Sequence, residues 1–161
     1  MLQPAAHALV QANDDVAALA PSVPTDVLWA DRGAATAGFH LLHLVGALDR
    51  LYGYARGESL SEAQKAVLRA EAVPHLDLDG AALAARVGEA VDKALAQLRA
   101  TDPDRVFDER KVGRAGLPAT VLGLLFHGAE HTTRHVGQFI TTVKLAPASG
   151  PSHSVGRDRP L

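Results

Sequence analysis

At 161 residues and 16.9 kDa the chain holds enough for one domain with a real core and too little for two of ordinary size. A hydrophobic share of 47%, a charged share of 21% and a formal net charge of -2 exclude the disordered and collagen-like classes and leave no basic footprint for nucleic acid or an anionic membrane. With no cysteine there can be no disulfide, thiolate metal site or cysteine nucleophile. The opening residues lack a basic region before an apolar run and no apolar stretch reaches about 18 residues, so a cytoplasmic protein is expected.

The first predicted element is a helix over about residues 2 to 19, where Leu2, Ala5, Leu9, Ala12, Val16 and Leu19 collect on one side. Pro21 and Pro24 stop it. The stretch through Trp29 to Gly33 reads as a connection that packs the lone tryptophan against the bundle. A second long helix, from about Ala34 to Arg56, steps through Ala37, Leu41, Leu44, Leu48, Leu51 and Ala55, with Gly57 as its C-terminal cap. Ser59 with Glu62, or Ser61 with Gln64, has the spacing of a capping box and starts a short linking helix through about Ala72.

Asp79 is a good N-cap for a third long helix to about Ala100, with Leu83, Val87, Val91, Ala94 and Leu98 buried. Residues 104 to 117 alternate weakly around Val106, Phe107 and Val112 but are rich in charge and glycine, which predicts a loop with at most a short extended piece. Pro118 then fits the first turn of a last long helix running to about Leu145. The expected fold is therefore all-α, a four-helix bundle over residues 1–146 with one short helix inserted between the second and third long helices. Residues 147–161, rich in Pro, Gly, Ser and Arg, read as a flexible C-terminal tail.

Five of the eight histidines fall in two short segments of this scheme. On the last helix His127, His131 and His135 recur every four residues, each about 40° round from the one before, on a stripe that borders the apolar arc of Val121, Leu125, Val136, Phe139 and Val143. Gln138 falls on the same stripe. Two imidazoles four apart can grip one ion but leave it short of ligands, and the second long helix supplies His40 and His43 as candidates for a third. Three histidines also leave coordination positions open, as catalytic sites do. The plainer reading of any one of these residues is a surface or hydrogen-bonded histidine. His7, His75 and His153 receive no role.

The segments Phe39-His40-Leu41-Leu42-His43-Leu44-Val45-Gly46-Ala47-Leu48-Asp49-Arg50-Leu51 and His127-Gly128-Ala129-Glu130-His131-Thr132-Thr133-Arg134-His135-Val136-Gly137-Gln138 resemble the DinB/YfiT-like superfamily of metal-dependent enzymes, over about residues 5 to 145. The resemblance implies a four-helix bundle of unusual helix order. It also implies one metal ion held by His43 from the second helix and by His131 and His135, the pair that stands before Gly-Gln on the last. Many members carry arginine directly after the last histidine; here Val136 stands there and Arg134 just before. His40, His127 and Gln138 remain as neighbours that could support the ligands.

Relatives of this kind are thiol-dependent transferases acting with bacillithiol, mycothiol or related small thiols, or are described as hydrolases. The leading expectation is thus a thiol-dependent S-transferase acting on small electrophiles through a metal-bound thiolate, with the substrate between the two histidine-bearing helices and the 104 to 117 loop. Arg110, Lys111 and Arg114 in that loop are candidates to attract an anionic cosubstrate, a low-molecular-weight thiol, although solvated loop charges are the plainer reading. The alternatives are a hydrolase using metal-bound water, for which Glu130 is the nearest acid in sequence but points about 100° away, and a non-enzymatic stress-associated binding protein. Three imidazoles suit zinc or nickel, and iron as well. A homodimer is in keeping with the resemblance, but no exposed apolar stripe demands one.

Overall fold

A computed structural model describes residues 2–146. The expected tail at 147–161 lies outside the described residues. Four long helices make the body: α1 (Gln3–Leu19), α3 (Ala37–Arg56), α5 (Gly80–Ala100) and α6 (Val121–Lys144), with two short ones, α2 (Thr25–Leu28) and α4 (Glu62–Ala70), in the connections. No helix among the described residues is long and apolar enough to cross a membrane.

The long helices close a ring in which α3 and α1 each pack against both α5 and α6. The buried rows are those that the three- and four-residue spacing collects: Leu9, Ala12 and Val16 on α1, Leu41, Leu44 and Leu48 on α3, Val87, Val91 and Ala94 on α5, and Leu125, Val136 and Phe139 on α6. The tightest seam joins α3 to α6, because a Cβ at Gly128 would lie 2.7 Å from the Tyr52 ring, and Tyr52 Oη donates to Leu125 O across it. This seam carries both histidine segments. Trp29 fills the corner beside α3, its indole N–H donating to Leu78 O at 3.0 Å.

The expected all-α, four-helix fold is corrected in two respects. An antiparallel hairpin, β1 (Glu109–Val112) and β2 (Leu117–Thr120), stands between α5 and α6, and six α-helices rather than four with one insertion are present among the described residues. The hairpin closes through Gly113 and Gly116, at φ of 67° and 62°, a backbone region glycine enters without the steric cost other residues meet. Pro118 sits in β2 opposite Lys111 instead of in the first turn of α6. Both strands of a two-stranded ribbon are edges, where a residue without an N–H is tolerated. Thr120 caps α6, accepting from Gly123 N, while Leu122 N and Val121 N donate to Val106 O and Asp108 O and fix the hairpin to the start of that helix.

On the other side of α3, Ser61 and Gln64 form the capping box of α4 with both reciprocal bonds present. The nine residues of α4 bury none of their own side chains. Glu71, the residue that follows α4, is only 3% exposed. A Cβ at Gly46 would stand 2.2 Å from Glu71 Oε1, so glycine at that point of α3 is what lets the carboxylate reach the helix. Glycine in a helix interior costs about 1 kcal/mol against alanine, and here it opens a place for a charged group.

Candidate metal centre

The α3–α6 seam brings His43, His131 and His135 together, with one ring nitrogen of each within 4.8 Å of the others. His43 Nε2 lies 3.1 Å from His131 Nε2, and the ring centroids of His43–His135 and His131–His135 are 4.6 and 4.5 Å apart. His43 and His131 are half-buried and His135 is buried. Phe39 stacks on His43 at a centroid distance of 5.2 Å, an apolar cover on one side of the cluster.

Two partners that sequence reasoning missed set the orientation of His43. Glu71 Oε2 is 2.7 Å from His43 Nδ1, and Glu71 Oε1 accepts from Arg50 at 2.5 Å. Arg50, itself 8% exposed, balances the buried carboxylate. With its Nδ1–H donating to Glu71, His43 turns Nε2 to the cluster. A carboxylate on the outer nitrogen is the usual way a ligating histidine is held in tautomer and angle. The signal available in the sequence was the set His43, Gly46 and Arg50, three and seven residues apart on one face of α3, with a helix-interior glycine in the middle.

The tautomers constrain the rest. For His131 to hydrogen-bond His43 it must give its Nε2 proton, and its Nδ1 is then a buried acceptor; that atom has no partner among the described residues. Such orphans are rare in protein interiors. His135 Nδ1 meets His40 Nδ1 at 3.2 Å, which leaves Nε2 as the nitrogen for the cluster. A divalent cation can accept a lone pair from one nitrogen of each of the three rings at once, which hydrogen bonds among them cannot match.

Burial, and after it the charge of His43, pushes His131 down to about 4; burial, then His43 and His131, does the same to His135, and burial with His43 lowers His40. The rings are therefore neutral at physiological pH, the form that ligates. Histidines free in the unfolded chain titrate near 6.5 and these near 4, so between those values the unfolded state binds more protons and the metal-free protein loses stability as pH falls. Thermal unfolding of metal-stripped protein over that range checks this. The loss should shrink in a His131→Gln/His135→Gln variant, and a flat wild-type profile contradicts it.

Of the other candidates, His40 touches the cluster through His135, whereas His127 is exposed, its ring centroid 5.5 Å from that of His131 and its Nδ1 3.2 Å from Glu130. Gln138 is exposed and lines a shallow recess with His40, Arg134 and Thr141, a lining that includes none of His43, His131 and His135. Glu130 is held by Arg134, whose hydrogen bonds depress its carboxyl pKa, and faces solvent. Arg110 donates to Ala55 O and Glu109 O and so anchors β1 to the end of α3. Lys111 lines a trough between the hairpin and α6, and Arg114 lies exposed in the hairpin turn, outside that lining.

The expected thiol-dependent S-transferase, acting through a metal-bound thiolate and a small-thiol cosubstrate, is accordingly corrected. The chain has no cysteine to accept or relay sulfur, and of the loop cations Arg110 is engaged by backbone carbonyls and Arg114 lies outside the trough. Hydrolysis, the alternative, fits the site better.

A sequence profile described as the DinB superfamily matches residues 8–139, most of the chain. Among curated proteins, none matches it.

Proposed function

The chain belongs to the DinB superfamily, and from that membership we propose that it is a metal-dependent hydrolase in which His43, His131 and His135 hold one divalent ion. The observation that carries the reading is the convergence of three imidazoles, two of them kept neutral by burial and one oriented by a buried carboxylate. Three protein donors leave coordination positions open, the arrangement of catalytic rather than structural sites. A divalent ion bound there supplies positive charge that acidifies water and polarises a carbonyl.

The chain's own residues do the rest. Glu71 holds the Nδ1 proton of His43, and Arg50 holds Glu71. His40 takes up the outer nitrogen of His135. His127, its Nδ1–H directed to Glu130 and its ring 5.5 Å from that of His131, has a free Nε2 lone pair that can take the proton an attacking water loses and return it to the leaving group. All-nitrogen donors favour zinc or nickel, with iron also suited.

The test is hydrolysis of a panel of p-nitrophenyl esters and anilides by untagged protein, stripped with chelator and then reloaded with zinc, nickel or iron. Turnover should vanish on stripping, return with one of the metals, and be absent from His131→Ala under the same loading. Equal turnover by stripped and reloaded protein, or none by any loaded form, would sink the proposal.

A further inference from the structure

Between the hairpin and the start of α6 runs a trough of about 820 Å³, within the size range of small-molecule sites. Its walls are Leu51 of α3, Val112 of β1, Leu117 and Ala119 of β2 and Leu124 of α6, and its end on α6 is His127. The polar groups of the hairpin are largely spent elsewhere: Arg110 is bonded to backbone carbonyls, and the two strands pair with each other from Glu109–Thr120 to Val112–Leu117. What they leave on the trough wall is mostly apolar, with Glu109 and Lys111 as the charged groups among it. Leu117 is 61% exposed there, a large side chain that the fold itself does not cover.

The trough ends beside the metal centre, with His127 standing between them. His127 belongs to the lining, and its ring stands edge-on to His131 at 5.5 Å. A substrate whose carbonyl lies at the three histidines therefore has a mostly apolar trough within reach past His127, with Leu124 and Leu51 in its lining. Resting on the hydrolase reading, we infer that this trough seats the acyl chain of the substrate, so that the enzyme acts on esters or amides of medium-length aliphatic acids. Short acyl groups would leave Leu117 and Val112 in water, and a chain of several methylenes covers them. Each buried methylene adds to affinity until the trough is filled.

Two measurements separate this inference from the reading beneath it. Calorimetry with zinc-loaded protein compares octanohydroxamate with acetohydroxamate, which share a metal-binding head and differ in chain. The longer probe should bind at least about tenfold more tightly. Leu117→Glu, at an exposed position whose loss leaves the core intact, should remove most of that preference, and so should Ala119→Trp. Equal affinities in the wild type, or a preference unchanged in both variants, overturn the inference while leaving the centre standing.

The second measurement needs no metal. Octanamide titrated into metal-free protein should shift amide resonances of β1, β2 and the first turns of α6, with acetamide causing none of these shifts. If zinc-loaded protein binds neither hydroxamate, the open metal site falls, and octanamide still decides the trough: shifts confined to that region uphold it, and shifts elsewhere or none overturn it.

Discussion

Replacing Glu71 by alanine should cost the metal-free protein about 3–5 kcal/mol of stability, the range for breaking a buried ion pair from one side. The loss comes less from the pair itself than from Arg50, left charged and nearly buried with no carboxylate to meet it. The same change frees His43 Nδ1 and releases the ring from its fixed tautomer. Zinc affinity should then fall by about 10–100-fold, the usual effect of removing the partner of a ligating histidine. Glu71→Gln separates the two effects, since an amide oxygen can still accept from His43 but cannot neutralise Arg50. It should be nearly as destabilised as the alanine variant and lose less affinity. Denaturant unfolding and competitive zinc titration read both quantities. A Glu71→Ala protein as stable as wild type and equally tight for zinc would show that the 2.7 Å contact to His43 does no work.

The second large effect belongs to His131. Its ring is half-buried and its Nδ1 has no partner among the described residues, so His131→Ala removes an ill-satisfied group and should change the stability of metal-free protein little. With metal present the outcome reverses. A ligand at about a hundred times its dissociation constant stabilises the wild type by about 2.7 kcal/mol, which for a chain of this length raises the unfolding temperature by roughly 5–10 °C. His131→Ala should show none of that rise and no hydrolysis. Differential scanning with and without saturating zinc makes the comparison, and an equal zinc-dependent rise in both proteins would place the ion elsewhere.

Much of the helical frame could be read from the chain because its cause is local. A stripe repeating every three to four residues, Asp79 before a helix and Gly57 after one all act within a turn or two of where they stand. The histidine segments were legible for the same reason, one spacing on α6 and one short run on α3. What brings His43 to His131 is the α3–α6 seam, which depends on small residues such as Gly128 meeting Tyr52 from the other helix.

The features that escaped were those whose cause is distant or weak. The hairpin has four-residue strands with a proline in one, and its pairing is sustained by bonds to α6 and by Arg110 reaching Ala55 O, none of which a local pattern encodes. Glu71 reads as the frayed end of a linking helix. Its role appears only when α4 folds back on α3 and the missing Cβ of Gly46 admits its carboxylate. His40 and His127 looked alike in spacing, yet one is buried on His135 and the other exposed beside Glu130, because α3 faces the bundle at residue 40 and α6 turns outward at residue 127.

The account stands on one ion shared by three imidazoles. The direct measurement is elemental analysis with metal-edge X-ray absorption on untagged protein, wild type beside His43→Ala and His131→Ala. The wild type should hold about one metal ion per chain in a shell that contains three imidazoles and open or solvent positions, and both variants should be nearly metal-free. Equal metal content in all three proteins, or a wild-type spectrum without imidazole scattering, would contradict it.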